Sequence, residues 1–234
     1  AALDANTTSS NNTAVGYQAM TDANGAVDTV AVGSEALANV TTGDYNVGVG
    51  FQALKTITTS GNCVAVGYQA LENNTAGNNT ALGSNALTAC TTGQGNTSVG
   101  KSSLQANTTG ATNVAVGFNA MEQNTTGSNN TALGDGALNA NTTANLNVAV
   151  GRQAMVANTT GASNTAVGAN ALDANTTASN NTALGYATLG ANTTGISNVA
   201  VGSGALDANT TASNNTAMGH EAMTTCSTGT QNVG

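Results

Sequence analysis

The 234-residue chain has no proline, no tryptophan, one histidine, and charged residues at only 6%. Each shortage excludes something. Three Lys or Arg residues against eleven acidic ones cannot supply the clustered cations that neutralise phosphates, so no nucleic-acid partner is expected. No apolar run approaches the length of a bilayer span, so this segment is not expected to insert into a membrane. The chain lacks a starting methionine and a charged-then-apolar leader, and reads as a mature or excised piece. Leu, Ile, Val and Phe number 37, too few for an ordinary globular core. Low charge and missing proline are equally unlike a disordered chain. Three cysteines fall short of a metal site or a disulfide framework. His220 and Glu221 are neighbours without a third group at suitable spacing. No catalysis, cofactor or metal is expected.

What is present is a repeat. Glycine recurs at Gly16, Gly33, Gly50, Gly67, Gly83, Gly100, Gly117, Gly134, Gly151, Gly168, Gly185, Gly202 and Gly219, always 17 residues apart except for one step of 16 between Gly67 and Gly83. With that glycine at position 5, the unit reads N-T/V-A-V/L-G-x-x-A-L-x-A-N-T-T-G-x-x, and residues 164–180 are a clean copy. The chain opens and closes in mid-unit, which reads as a window on a longer array. Seventeen residues are too few for a helix pair. The unit therefore predicts a parallel β-solenoid over 1–234, a single array of about thirteen complete coils spanning about 60–65 Å at the spacing of stacked strands. Two short strands per coil are expected, N-T-A-V-G and x-A-L. Positions 4 (always Val, Leu or Met) and 9 (always Leu or Met) are expected to point inward. Charges occur only at positions 6, 7, 10, 11, 16 and 17, which reads as a record of burial.

Asparagine at position 1 (Asn46, Asn113, Asn164, Asn215) predicts a ladder of stacked amides. Cys63 at position 1, and Cys90 and Cys226 at position 12, stand as ladder substitutions. Cys90 and Cys226 lie eight units apart, on the order of 40 Å, which rules out a bridge between them. The invariant glycine fits a tight corner with positive φ or close backbone approach. The short unit is expected to lose its residue from the loop at 76–78 and keep its strands in register. Asn-x-Thr triplets at Asn107, Asn124, Asn158 and Asn192 are candidate glycan acceptors. Thr-Thr pairs such as Thr108–Thr109 and Thr159–Thr160 suggest an ice- or surface-binding rank, although adjacent residues of a strand face opposite ways.

Position 6 carries the recognition candidates. Five of six aromatics stand there (Tyr17, Phe51, Tyr68, Phe118, Tyr186), beside Lys101 and Arg152. Variation in size, charge and aromaticity on a fixed scaffold suits a stripe that reads sugars or proteins. Position 2, switching between Val114, Thr131, Val148, Thr165, Val199 and Thr216, is a candidate contact between chains.

The segments N-T-A-V-G-Y-Q-A-M (12–20), C-V-A-V-G-Y-Q-A-L (63–71) and N-V-A-V-G-S-G-A-L (198–206) resemble the head repeats of trimeric autotransporter adhesins, and similar repeats occur in phage tail-fibre proteins. The likeness covers the whole chain, with a unit a few residues longer in A-N-T-T-G-x-x. The resemblance implies a left-handed β-roll, three chains side by side, and an attachment rod on a cell or virion surface. The expectation is an extracellular structural or adhesive fibre segment, self-assembling as a homotrimer or filament and meeting host-surface glycans or proteins. The alternatives are an ice- or surface-binding solenoid and a self-assembling extracellular filament.

Overall fold

One repeat makes one coil, and each coil contains one three-residue strand at positions 2–4. The computed structural model describes residues 1–4 and 6–234, in two units, Ala1–Asn113 and Val114–Gly234. The first unit carries β1 (Thr13–Val15), β2 (Val30–Val32), β3 (Val47–Val49), β4 (Val64–Val66), β5 (Thr80–Leu82) and β6 (Thr97–Val99). The second carries β7 (Val114–Val116), β8 (Thr131–Leu133), β9 (Val148–Val150), β10 (Thr165–Val167), β11 (Thr182–Leu184), β12 (Val199–Val201) and β13 (Thr216–Met218). Within each unit, successive strands pair in parallel and every repeat position meets its own counterpart, as in Thr165↔Thr182 and Val167↔Leu184. This is an all-β parallel solenoid, and no helix occurs among the described residues. None is therefore long and apolar enough to cross a membrane.

Two expectations need correction. The x-A-L segment is not a second strand. It is a turn with left-handed backbone at positions 7 and 9: Gln69 and Leu71 both have φ of 53°, and Asn170 and Leu172 have 58° and 51°. It still joins the stack, because Asn170 N–H donates to the Arg152 carbonyl of the preceding coil (3.0 Å) and Leu172 N–H to the Thr188 carbonyl of the next (3.0 Å). A β-branched residue is a genuine outlier at positive φ. That explains why position 9 admits Leu and Met and never Val or Ile.

Position 4 does not point inward either. Strand side chains alternate, and position 3 is the buried member: Ala65, Ala115 and Ala166 are fully buried, whereas Val66, Val116 and Val167 are exposed by 37–39%. The interior is too thin for two large side chains face to face. Leu37 at position 9 already lies so near position 3 of the next coil that a Cβ on Gly48 would sit 3.1 Å from its Cδ1. Alanine at 3, alanine at 8 and Leu or Met at 9 fill the core, and the larger strand residues go outside. Where position 3 turns polar, position 8 answers: Ser98 Oγ donates to the Ser103 carbonyl at 2.9 Å, and the two hydroxyls touch.

Two asparagine columns close the rest of the interior. At position 1 the side-chain oxygen accepts the backbone N–H of the next asparagine (Asn164 to Asn147, 2.9 Å; Asn181 to Asn164, 2.9 Å), while Nδ2 donates to a loop carbonyl of its own coil (Asn164 to Ala178, 2.8 Å). At position 12 the amides bond directly: Asn175 Nδ2 donates to Asn158 Oδ1 at 2.8 Å and Asn192 Nδ2 to Asn175 Oδ1 at 3.1 Å. A buried amide is costly unless paired, and here each coil supplies the partner for its neighbour until the position-12 ladder ends at Asn209, whose buried Oδ1 faces the coil of Cys226 without a partner.

The corner glycine is imposed by both causes expected of it. At Gly134 φ is +136°, and a Cβ there would lie 2.6 Å from the Gly151 carbonyl oxygen. The short unit loses position 14: Thr75 N–H bonds to the Thr91 carbonyl as position 13 does elsewhere (2.9 Å), and the next residue, Ala76, is already the buried position 15. The strands on either side keep register, Val64↔Thr80 to Val66↔Leu82.

Candidate functional site

Because positions 1, 3, 8, 9, 12 and 15 fill the interior, positions 2, 4, 6, 7, 10, 11, 13, 14, 16 and 17 remain for the surface. The sharp glycine corner turns position 6 out of the strand, where backbone bonds hold it in place without using its side chain. In the first unit, Tyr17 is 68% exposed, Phe51 39% and Tyr68 50%, and Lys101 is exposed. In the second, Phe118 (50%), Tyr186 (64%) and Arg152 are exposed, with Arg152 Nη1 donating to Gln153 Oε1 at 3.2 Å. Among these candidates the structure brings Phe51 and Tyr68 together. Phe51 and Tyr68, in successive coils, stack with ring centroids 5.4 Å apart and planes 15° from parallel.

Position 7, one residue further on, holds a polar chain that the sequence reading did not single out. Gln69 Nε2 donates to Gln52 Oε1 (3.0 Å), Gln52 Nε2 donates to Glu35 Oε2 (2.9 Å), and Lys55 Nζ reaches the same carboxylate oxygen at 2.7 Å. The Lys55 hydrogen bond first, and the Gln52 bond second, hold the Glu35 carboxyl below its usual range. A depression lined by Gln18, Asp22, Glu35, Asn39 and Lys55 opens beside this chain. The regular spacing of Gln18, Glu35, Gln52 and Gln69 was the available signal.

The strand face is the other exterior feature. Position 2 is partly exposed in most coils, and position 4 stands further out, with Val32, Val66 and Leu82 in the first unit and Leu133, Val167 and Leu184 in the second at 36–39% exposure. Charge is absent from both columns in all thirteen coils, although both lie on the outside.

Other candidates fare differently. Asn107, Asn124, Asn158 and Asn192 are fully buried, so none of these Asn-x-Thr triplets offers its amide to a glycosylating enzyme once folded. The first threonine of most pairs spends its hydroxyl on the next coil's carbonyl (Thr125 to Thr142, 3.0 Å; Thr193 to Thr210, 3.0 Å), which leaves one outward row there. Cys63 and Cys90 are buried free thiols and Cys226 is a partly exposed one. Burial pushes the Cys90 thiol up to about 11. His220 Nε2 lies 3.6 Å from Glu221 Oε1, with both side chains largely in solvent. Among the described residues no group of three or more His, Cys, Asp or Glu is placed to hold a metal ion. No protein-family model matches the chain, and no curated protein is significantly similar to it in sequence.

Proposed function

We propose that this chain is a non-catalytic structural and adhesive fibre segment, of a surface adhesin or a virion tail fibre, acting outside the cell. In this reading it assembles with copies of itself through its strand faces, three chains by resemblance, and presents position 6 to host-surface glycans or proteins. The observation that carries the reading is the uncharged exterior of positions 2 and 4. Solvated surfaces acquire charges freely, as positions 6, 7, 10, 11, 16 and 17 do here. A repeated column of half-exposed Val, Thr and Leu without one charge is the pattern of a surface kept for contact. The tied hydroxyls of the threonine pairs weigh against an ice-binding rank.

Sedimentation at micromolar concentration tests the assembly. The native chain is expected to run as an oligomer. Val167→Lys with Leu184→Lys is expected to yield a folded monomer, since both side chains already face outward. A native monomer would refute the assembly reading. For attachment, replacing Tyr17, Phe51, Tyr68, Phe118 and Tyr186 together by serine is expected to abolish surface binding and leave melting unchanged. A loss of melting well beyond that of replacing Phe51 and Tyr68 alone, which removes their mutual stack, would place the rings in an interface between chains instead.

A further inference from the structure

We infer that the first unit carries a subsite for a single neutral pyranose, seated over Ser34 against the free face of Phe51. The inference rests on the adhesive reading above and gives it a place and a ligand class.

The stacking of Phe51 on Tyr68 fixes the ring planes. Near-parallel rings in successive coils, 5.4 Å apart at their centroids, form an offset stack in which each turns a face toward the neighbouring coil. One face of Phe51 is used by Tyr68. The other looks toward the preceding coil, where position 6 is the small Ser34. Beyond Ser34 stands Tyr17, two coils from Phe51, or about 9–10 Å at strand spacing. Two van der Waals contacts of about 3.5–4 Å fit within that opening. It therefore has room for one saturated sugar ring whose C–H face lies on Phe51. Phe51 is held by its neighbour, so little side-chain freedom is lost on binding.

The polar half of the subsite is assembled already. Glu35 follows Ser34 directly, and its carboxylate is held by Gln52 Nε2 and Lys55 Nζ. Both Glu35 and Lys55 also line the adjoining depression, with Asn39 and Asp22. The carboxylate, ammonium and amide groups of this depression, which begins at the residue after Ser34, supply the acceptors and donors that sugar hydroxyls need. Charge sets the class: two carboxylates against one ammonium line the depression, which repels uronates and sialic acids and leaves neutral hexoses.

The test measures binding of maltohexaose, mannohexaose and a galacto-oligosaccharide to the intact chain by calorimetry, with polygalacturonate as the anionic comparison. At least one neutral oligosaccharide is expected to bind in the millimolar range or tighter, and polygalacturonate more weakly. Ser34→Tyr fills the opening with a residue the column already holds at Tyr68 and Tyr186, and is expected to weaken binding tenfold or more with melting unchanged. Phe51→Ala, matching the natural Ala169 of this column, removes the platform and should do the same if Ser34→Tyr folds poorly. Absence of neutral-sugar binding at 10 mM, preference for polygalacturonate, or unaltered binding by a folded variant would overturn the subsite. Self-assembly and surface attachment judge the fibre reading separately, so an intact oligomer that ignores these sugars sinks the subsite alone.

Discussion

Breaking the position-12 amide ladder in one place should cost more than removing a stretch of it. Asn175 is fully buried; its Nδ2 donates to Asn158 Oδ1 and to the Ala178 carbonyl (3.1 Å), and its Oδ1 accepts from Asn192. Asn175→Val strips the donor from Asn158 Oδ1 and one acceptor from Asn192 Nδ2, which keeps Gly195 O at 3.0 Å. The Ala178 carbonyl keeps Asn164 Nδ2. One stranded buried acceptor costs about 1–3 kcal/mol, and the added apolar burial offsets part of it, leaving a net loss of about 1–2 kcal/mol. In the triple variant Asn158→Val, Asn175→Val, Asn192→Val, only Asn141 Oδ1 is newly stranded, since Asn209 Nδ2 keeps the Ala212 carbonyl (3.1 Å), while three valines are buried. Its loss should not exceed that of one single variant, so the three single losses should exceed the triple by about 2 kcal/mol or more. The first unit already contains the apolar version, with Ala23, Val40 and Ile57 buried in successive coils at this position. Urea denaturation at fixed protein concentration reads the differences. Additive losses would refute the argument that the amides are stabilised mainly by one another.

The corner can be tested within one coil: Gly134→Ala places a Cβ against the Gly151 carbonyl at φ +136° and should cost about 3 kcal/mol or more. Gly136→Asn, at φ +61° where other coils hold Asn119 and Asn170, should leave the melting temperature unchanged or slightly raised. Cys226 should react with a thiol reagent in the native chain at pH 8 while Cys63 and Cys90 remain protected until unfolding, since burial blocks access and, for Cys90, leaves only about one thiol in a thousand ionised. Prompt labelling of all three would contradict the burial of Cys63 and Cys90.

The period, register, glycine corner and first asparagine column are legible because each depends on contacts between identical positions, and a repeat displays those as conserved spacing. Even the missing residue of the short unit falls in the expected loop. Position 4 misleads because large apolar side chains ordinarily mark an interior, and absence of charge fits an interior and a contact surface equally well. The decisive signal was beside it: position 3 is always Ala, Gly or Ser, small enough to face Leu or Met across a thin core. The glycan-acceptor reading of Asn-x-Thr fails because it takes no account of position, and position 12 proves to be interior. The Phe51–Tyr68 stack follows from equal spacing, whereas the Glu35–Gln52–Lys55 cluster joins positions 7 and 10, which the linear unit does not place together.

The left-handed leucines and methionines of position 9 have a kinetic consequence. All fourteen, Leu3 of the opening partial coil included, sit at φ of 50–55°, a conformation that costs an ordinary L-residue about 1–2 kcal/mol. A coil forming alone carries this cost, and that of position 7, before any neighbour offers a hydrogen bond, an amide partner or apolar cover. A coil added to an existing stack meets all of these at once. Folding should therefore begin slowly, with a nucleus of a few coils, and then run quickly from the exposed end of that nucleus, much as a zipper closes once its first teeth engage.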